Sequence, residues 1–226
     1  MKRKQVAVIG LGRLGVSVAT TLQHLGHEVL AIELDEKKVQ SMASQITHAV
    51  QADATSEAVL RELGIGNFDI AIVTTSAIAN SVLSTILLKK LGVRHVIARA
   101  DSELHADILD RIGADKVVYP ENEMGIMIAH VLTLGDVIDY IPVVSGYGIL
   151  KLTPPSYFVG ETLSGLGFGA KGEWQVAVLL IQRQKEVLLN PNYQEMVKPG
   201  DSLVVAGNVD KLEELIAKAR KTKTEK

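Results

Sequence analysis

Three glycines near the start of the chain are spaced as in loops that hold the diphosphate of a nucleotide. Gly10, Gly12 and Gly15 follow a short apolar run and precede an amphipathic segment. In this G-x-G-x-x-G spacing, Gly10 allows a sharp turn and Gly12 lets a diphosphate approach the backbone. Gly15 lets the next helix pack closely on the sheet, and that helix's N-terminus attracts phosphate. The glycines indicate a nucleotide-binding loop, although alone they could simply join a strand to a helix.

An acidic residue lies where such a loop needs a partner for the ribose. Glu33 ends a second apolar run, Val29 to Ile32, and comes about 20 residues after Gly12. A carboxylate at this distance accepts hydrogen bonds from ribose hydroxyls. Strand, loop, helix, second strand and acid therefore occur in the expected order, and the stretch from Gln5 to Asp35 is predicted to bind a nucleotide.

Strands and helices alternate through residues 5–119. Short apolar runs of strand length are separated by segments with the periodicity of amphipathic helices. This alternation predicts an α/β fold, a doubly wound parallel sheet with helices on both faces. In such folds ligands bind beyond the C-terminal ends of the strands. Residues from separate predicted strand ends should therefore meet at one edge of the sheet: Gly12, Glu33, Asp53, Thr74 and Arg99.

The alternation ends at Pro120. The next segment, Glu121 to Leu134, is predicted to form a helix with apolar residues on all sides, which is typical of a buried helix. We expect its second face to pack on another subunit, and burial between two halves of one chain is the alternative. The two residues that follow, 135 and 136, are expected to lead into a short helical turn through Tyr140.

The composition changes after Pro142. Glycine and proline become frequent, and short β-type runs lie between turn signals such as Lys198 to Asp201. This pattern predicts a small α+β domain over residues 143–221, with a final helix capped by Asp210. The first domain is expected to span residues 1–134, and residues 135–142 are expected to link the two.

The overall composition excludes several classes of protein. The chain has 226 residues, a formal net charge of −2 and no cysteine. Nucleic-acid-binding proteins are usually basic, so we expect no nucleic-acid partner. The absence of cysteine excludes disulfides and thiolate metal sites. No apolar run approaches the ~18 residues of a membrane span, and the first residues do not resemble a signal peptide. We expect a soluble intracellular protein.

Motifs of several large enzyme classes are absent from the sequence. It contains no G-x-x-x-x-G-K-[ST], H-E-x-x-H or G-x-S-x-G motif. An NAD(P)-dependent oxidoreductase is an alternative, but the second domain contains no histidine and no obvious acid/base pair to work beside a nicotinamide. A ligand-binding transcriptional regulator is disfavoured because no DNA-binding helix pair is evident. We therefore expect the nucleotide to be a signal and the protein not to be an enzyme.

The order and spacing of several segments resemble the RCK family, the regulators of potassium conductance. The resemblance covers nearly the whole chain and is greatest to the cytosolic regulatory subunits of bacterial Ktr and Trk potassium-uptake systems. The similar segments are GLGRLG at 10–15, HAVQADAT at 48–55, LGIGNFDIAIV at 63–73, RIGADKVVYPENEMG at 111–125 and VKPGDSLVVAG at 197–207.

The resemblance implies a Rossmann-type first domain that binds ATP, ADP or NAD(H), with a last helix that crosses over to a partner subunit. Dimers would assemble into an octameric ring beneath a membrane-embedded potassium transporter subunit, at the cytoplasmic face of the membrane. Exchange of nucleotides would change the shape of the ring and gate the pore. The second domain would pair with its neighbour, and in some members that interface binds cyclic di-AMP.

The resemblance also assigns roles to charged residues. Arg13 matches an arginine that reaches the terminal phosphate of ATP, and Arg99 matches a basic residue near the phosphates. Glu121 matches an acid that holds a divalent cation, Mg²⁺ or Ca²⁺, beside the phosphates near the dimer axis. Gly169 stands where members that bind cyclic di-AMP have an arginine, which puts binding of that ligand in doubt.

The remaining assignments complete the predicted binding site. Asp53 and Ala54 match the adenine end, and Thr74 and Thr75 match the loop below the phosphates. Glu33 takes the place of the ribose acid, where the family also uses aspartate. The full predicted set is Gly10, Gly12, Arg13, Leu14, Gly15, Glu33, Leu34, Asp53, Ala54, Thr74, Thr75, Arg99 and Glu121.

Overall fold

The fold divides into two compact units. A computed structural model of the protein describes residues 2–133 and 137–215. By the contacts within the chain, the first unit is Met1–Glu121 and the second is Asn122–Lys226.

The first unit is built on a parallel sheet. Its strands are β1 (Gln5–Ile9), β2 (Glu28–Glu33), β3 (His48–Gln51), β4 (Ile70–Val73), β5 (His95–Arg99) and β6 (Lys116–Val118). They lie in the order β3-β2-β1-β4-β5-β6, and every neighbouring pair is parallel. The inner strands are buried on both faces, as in parallel sheets covered by helices. The strand order reverses direction between β1 and β4, where ligands bind in this kind of fold.

Helices connect these strands and cover the sheet. They are α1 (Arg13–His24), α2 (Glu36–Met42), α3 (Glu57–Glu62), α4 (Ile78–Lys90) and α5 (Glu103–Arg111). The alternation of strands and helices, the parallel pairing and the strand order confirm the predicted doubly wound fold.

Helix α1 packs closely on the sheet because Gly15 has no side chain. A Cβ atom at Gly15 would overlap the carbonyl oxygen of Gly10 and would lie 2.7 Å from the hydroxyl oxygen of Thr74. The Thr74 hydroxyl is also within hydrogen-bonding distance of the carbonyl oxygens of Ile9, at 3.0 Å, and Gly10, at 2.9 Å. The start of α1, the glycine loop and the end of β4 therefore form one tightly packed group.

The second unit contains an antiparallel sheet, one long helix before it and a shorter helical segment at 209–215. The long helix is α6 (Pro120–Thr133), which begins at the end of the first unit. The strands are β7 (Val137–Val144), β8 (Tyr147–Leu152), β9 (Ala177–Arg183), β10 (Glu186–Leu189) and β11 (Asp201–Asn208). They lie in the order β10-β9-β11-β8-β7. The predicted small α+β domain is therefore confirmed as a fold, and the predicted domain bounds stay a prediction.

Strand β7 corrects one sequence-based prediction. Residues up to Tyr140 were expected to form a short helical turn, but Tyr140 lies in this strand opposite Leu150. Strand β7 continues through Pro142 because it is an edge strand, where a missing backbone N–H is tolerated. The prediction of a helical turn is wrong for residues 137–140. Residues 134–136 and 216–221, which the predicted elements and domains also include, lie outside the described residues.

The last helical segment is capped by a different residue from the one predicted. The side-chain oxygen Oδ1 of Asn208 accepts hydrogen bonds from the backbone N–H groups of Asp210, at 3.0 Å, and Lys211, at 3.3 Å. Asn208 thus satisfies donors at the helix N-terminus that have no intrahelical partner. The prediction that Asp210 is the cap is wrong.

Helix α6 has apolar residues on two different sides. Met127 and Val131 pack against the hydrophobic core of the second unit. Met124, Ile128 and Leu132 recur every four residues and are 51%, 47% and 76% exposed. One apolar side is thus covered by the second unit itself, and contact of the other side with another subunit stays a prediction. In the described part of the chain, no helix combines the length and apolar content needed to cross a membrane.

A buried ion pair holds the turn before β11. The Nε and Nη2 atoms of Arg183 donate to the Asp201 carboxylate, both at 2.9 Å, and Nη1 donates to Glu195 at 2.9 Å. The Asp201 side chain is fully buried and also accepts from the backbone N–H of Lys198 at 2.9 Å. Burial opposes ionisation, but the bonds from Arg183 and Lys198 outweigh it and lower the pKa of Asp201. This network stabilises the predicted Lys198–Asp201 turn.

We expect Gly15→Ala to lower the free energy of unfolding by about 1–3 kcal/mol, because the added methyl group forces α1 away from Gly10 and Thr74. Chemical denaturation at a fixed protein concentration measures this change. Ser17→Ala, on the exposed side of the same helix, is the control and should change the value by less than about 0.5 kcal/mol. If the two variants have equal free energies of unfolding, α1 can move away from the sheet without a loss of stability.

Candidate functional site

The predicted binding residues come together around one cavity at the C-terminal edge of the parallel sheet. The cavity has a volume of about 380 Å³, within the range of small-molecule sites. Of the predicted set, Gly15 alone does not line it, because Gly15 packs beneath the loop. The predicted residues that line the cavity are Gly10, Gly12, Arg13, Leu14, Glu33, Leu34, Asp53, Ala54, Thr74, Thr75, Arg99 and Glu121.

Several residues that line the cavity were not predicted. Some of them could have been found, because Ile9, Ile32 and Ala52 lie at or just beyond strand ends. Others depend on how helices α2 and α4 lie against the sheet, which periodicity alone does not determine. The additional lining residues are Ile9, Ile32, Lys38, Ala52, Thr55, Ser76, Asn80 and Ser84.

The glycine loop leaves open space at the N-terminus of α1. Gly12 is the N-cap residue of this helix, and in the described part of the chain no atom lies within 4 Å of the place that its Cβ would take. Gly10 has a φ of +93°, in the left-handed region that favours glycine. Backbone N–H groups at a helix N-terminus attract anions, so this space suits a phosphate group.

The Glu33 carboxylate is held in place by backbone groups. Its Oε2 accepts a hydrogen bond from the N–H of Leu11 at 2.7 Å, and its Oε1 accepts from Leu34 at 2.8 Å and Asp35 at 3.1 Å. Burial raises the pKa of Glu33, but these bonds and Lys38 lower it, and the net shift is downward. A carboxylate has about four acceptor positions, so this charged group can still accept a hydroxyl.

The carboxylate of Asp53 is oriented by a neighbouring residue. Its Oδ1 accepts hydrogen bonds from the backbone N–H of Thr55 at 2.8 Å and from the Thr55 hydroxyl at 2.7 Å. Both bonds favour the charged form and lower the pKa of Asp53. One oriented acid thus lies at the end of β2 and another just beyond β3, as expected for a site that binds hydroxyl and N–H groups.

The two arginines of the cavity are in different states. Arg13 is exposed, and its side chain makes no ion pair or hydrogen bond within residues 2–133 and 137–215. Arg99 is only 15% exposed and pairs through Nη2 with Asp101, at 2.7 Å, and with Glu121, at 2.8 Å. The hydrogen bond from Arg99 also lowers the pKa of Glu121. Arg13 is therefore free to meet an anion, whereas Arg99 already contacts two carboxylates.

No cation site is complete within the described residues of the single chain. No group of three or more His, Cys, Asp or Glu side chains able to hold a metal ion occurs among the described residues. Mg²⁺ and Ca²⁺ take six or more oxygen ligands, and Glu121 supplies at most two. Glu121 as a cation ligand stays a prediction, and such an ion would need further oxygen atoms, for example from phosphates.

The second unit leaves little room for an arginine at the position of Gly169. This residue has a φ of +107°, and a Cβ atom there would lie 3.2 Å from the ring of Tyr193. A larger residue would be strained both by the backbone conformation and by this contact. The local structure thus gives a physical reason for glycine at the position where the members that bind cyclic di-AMP have an arginine.

Comparison with known proteins identifies a domain in each unit. A family model described as the TrkA-N domain matches residues 6–120, and one described as the TrkA-C domain matches residues 148–220. The Ktr system potassium uptake protein C of Bacillus subtilis (strain 168) is 38% identical over 208 residues, which are 92% of this chain and 93% of that protein. The name of this relative refers to potassium uptake and not to a catalysed reaction, in agreement with the prediction that the chain is not an enzyme.

Solved structures show the same fold. The GsuK RCK domain is 21% identical, with a TM-score of 0.53 over 95% of this chain and 46% of that chain. A structure of GsuK bound to ADP is 28% identical, with a TM-score of 0.50 over 57% of this chain and 34% of that chain. The chain therefore spans less than half the length of either solved chain.

Proposed function

Because the chain belongs to the RCK family of TrkA-N and TrkA-C domain proteins, we propose that it is a nucleotide-sensing regulatory subunit of a potassium transporter. Its ligand is ATP, ADP or NAD(H), bound in the cavity of the first unit. The observation that carries this proposal is the anchored Glu33 carboxylate facing the same cavity as the open glycine loop at Gly12.

The chemistry of the cavity supports a nucleotide as the ligand. Phosphates fit the N-terminus of α1 and the free guanidinium of Arg13, and ribose hydroxyls fit Glu33. The structure of GsuK bound to ADP, which this chain resembles, is consistent with an adenine nucleotide. The carboxylates of Glu33 and Asp53 lie toward the β2–β3 side, so the ribose and adenine would extend in that direction.

The nucleotide acts as a signal in this proposal. An oxidoreductase needs an acid/base group at the nicotinamide, most often histidine. Among the described residues that line the cavity there is no histidine. The named relative is a potassium uptake protein, which favours regulation of transport over turnover. Steady oxidation of NADH or hydrolysis of ATP by the purified chain would reverse this preference.

We expect Gly12→Asp to fold normally and to bind ADP and NADH at least ~30-fold more weakly. The space at Gly12 is open, and aspartate is a favourable N-cap residue, so stability should not fall. The added carboxylate would repel the diphosphate, and two unit charges 4 Å apart interact by about 4 kcal/mol at an effective dielectric of 20. Isothermal titration calorimetry measures the affinities.

The matched control is Gly12→Asn, which adds similar bulk without charge and should lose much less affinity. Circular dichroism and thermal unfolding of both variants establish that they are folded. Unchanged nucleotide affinity in a folded Gly12→Asp protein would mean that the ligand binds elsewhere.

We expect Arg13→Ala to weaken ATP binding by about tenfold or more and ADP binding by less. The free side chain begins at the first residue of α1, from which it can follow the phosphate chain outward. Each charge-assisted hydrogen bond to the terminal phosphate contributes ~1.5–3 kcal/mol, and 1.4 kcal/mol is tenfold. Arg13→Lys keeps the positive charge and should retain part of the preference for ATP over ADP. Equal losses for both nucleotides would show that Arg13 does not contact the terminal phosphate.

Mg²⁺ or Ca²⁺ would strengthen ATP binding through Glu121. The carboxylate and the terminal phosphate are both negative, and a divalent cation between them removes their repulsion. Glu121 and the phosphate oxygens would hold the ion, which supplies charge neutralisation only.

The chain is proposed to act as a homo-oligomer at the cytoplasmic face of the membrane, with dimers assembled into an octameric ring beneath a membrane-embedded potassium transporter subunit. The exposed apolar side of α6, formed by Met124, Ile128 and Leu132, supports a subunit contact. Potassium uptake by cells with and without the chain tests the transport role. Cyclic di-AMP is not proposed as a ligand, because Gly169 and Tyr193 disfavour the arginine that the resemblance associates with it.

We expect Ile128→Glu combined with Leu132→Glu to break the dimer without unfolding the chain. Both residues are exposed in the single chain, and a buried unpaired charge is costly at an interface. Substitution of Met127 or Val131 would instead damage the core of the second unit. Asn122→Glu adds a charge to another side of α6 and is the control. Light scattering at micromolar concentration measures the mass, and a monomeric wild-type chain would contradict the proposal.

A further inference from the structure

Arg99 forms ion pairs with two acids. It is the last residue of β5, and its side chain lines the cavity. Nη2 contacts Asp101 at 2.7 Å and Glu121 at 2.8 Å, and Nε donates to Glu121 at 3.3 Å. In the described part of the chain, the two N–H groups of Nη1 have no partner. The guanidinium therefore has donors left for an anion, but Glu121 already occupies two of the others.

The two acids are held with different strength. The backbone N–H of Asp101 donates to Nδ1 of the buried His105 at 3.3 Å, and the backbone N–H of His105 donates to the Ser102 hydroxyl oxygen at 3.2 Å. Asp101 is thus tied to the start of α5. The Glu121 side chain is 68% exposed, and Arg99 is its one ion-pair partner among residues 2–133 and 137–215. The Asp101 side chain is 31% exposed, so water can replace Arg99 more readily around Glu121 than around Asp101.

The local charges make Glu121 a competitor of the ligand. One guanidinium between two carboxylates leaves an excess negative charge in the immediate surroundings of Arg99. A phosphate group needs the same kind of donor as a carboxylate, and it brings more charge and more acceptor oxygens. A phosphate that is also held by α1 and Arg13 would therefore displace a single exposed side chain.

We propose that Glu121 occupies donors of Arg99 that a phosphate group of the ligand takes, so that binding releases Glu121 while Asp101 stays. This inference rests on the proposed function and describes how the same site is regulated. Glu121 is the second residue of α6, so the ligand changes what holds the first turn of that helix. Arg99 is then a residue that exchanges partners, and Asp101 and His105 are positioning residues that keep it in the cavity.

A double-mutant cycle tests the competition. ADP affinity is measured by calorimetry in EDTA, so that no divalent cation takes part, for the wild type, Glu121→Gln, Arg99→Met and the double variant. We expect Glu121→Gln to bind ADP about fivefold more tightly than the wild type, because a neutral amide oxygen competes for the donors of Arg99 less strongly than a carboxylate does. In the Arg99→Met background, Glu121→Gln should change the affinity for ADP by less than about twofold. The donors for which Glu121 and the phosphate compete are absent from that protein.

Matched controls separate this effect from simple charge repulsion. Glu123→Gln removes an exposed acid two residues further along α6 and should change ADP affinity by less than about twofold. If Arg99→Met does not fold, Arg99→Gln takes its place in the cycle.

The outcomes distinguish the inference from the proposed function. If Glu121→Gln increases the affinity for ADP as much in the Arg99→Met background as in the wild type, Glu121 acts by charge repulsion through space. This result would overturn the proposed competition for Arg99. If the wild type binds ADP and Glu121→Gln binds it no more tightly, the proposed competition is also overturned. The proposed function is then unaffected. If neither ADP nor NADH binds to any of these proteins, the proposed function fails and the inference fails with it.

Discussion

The close contact between the glycine loop and the end of β4 is the constraint on which the site depends. The absence of a side chain at Gly15 lets α1 lie against Gly10, and the Thr74 hydroxyl lies within hydrogen-bonding distance of Ile9 and Gly10 carbonyl oxygens. This packing aims the N-terminus of α1 into the cavity and leaves the space at Gly12 open. The proposed affinity for phosphate therefore depends on how closely the helix and the sheet pack.

Most of the first unit could be predicted because its sequence signals are local. Apolar runs of strand length and helical periodicity determine the elements, and the parallel topology brings strand ends to one edge. Residues such as Glu33, Asp53 and Thr74 therefore line the cavity as predicted. Lys38 and Asn80 were missed because they lie on helices, whose rotation against the sheet depends on packing that a sequence pattern does not specify.

The second unit was predicted less accurately for physical reasons. Strand β7 contains Pro142 and exposes most of its residues, so it lacks the apolar alternation of a half-buried strand. Its structure depends on pairing with β8, a contact between segments that periodicity does not report. The cap at Asn208 was missed for a similar reason, because Asp210 is an equally good capping residue and only the position of the first turn decides between them.

The two arginines of the cavity show how one residue type serves two purposes. Arg13 starts a helix, has no ion pair in the described part of the chain and is available to a ligand at once. Arg99 is mostly buried and requires carboxylates near it, because an unpaired buried charge is costly. A ligand that takes the Nε and Nη2 donors of Arg99 must therefore replace a partner, whereas one that reaches Arg13 replaces only water. In the proposed function, the affinity gained at Arg13 offsets the cost of the exchange at Arg99, so that ligand binding is coupled to a change of partner at Glu121.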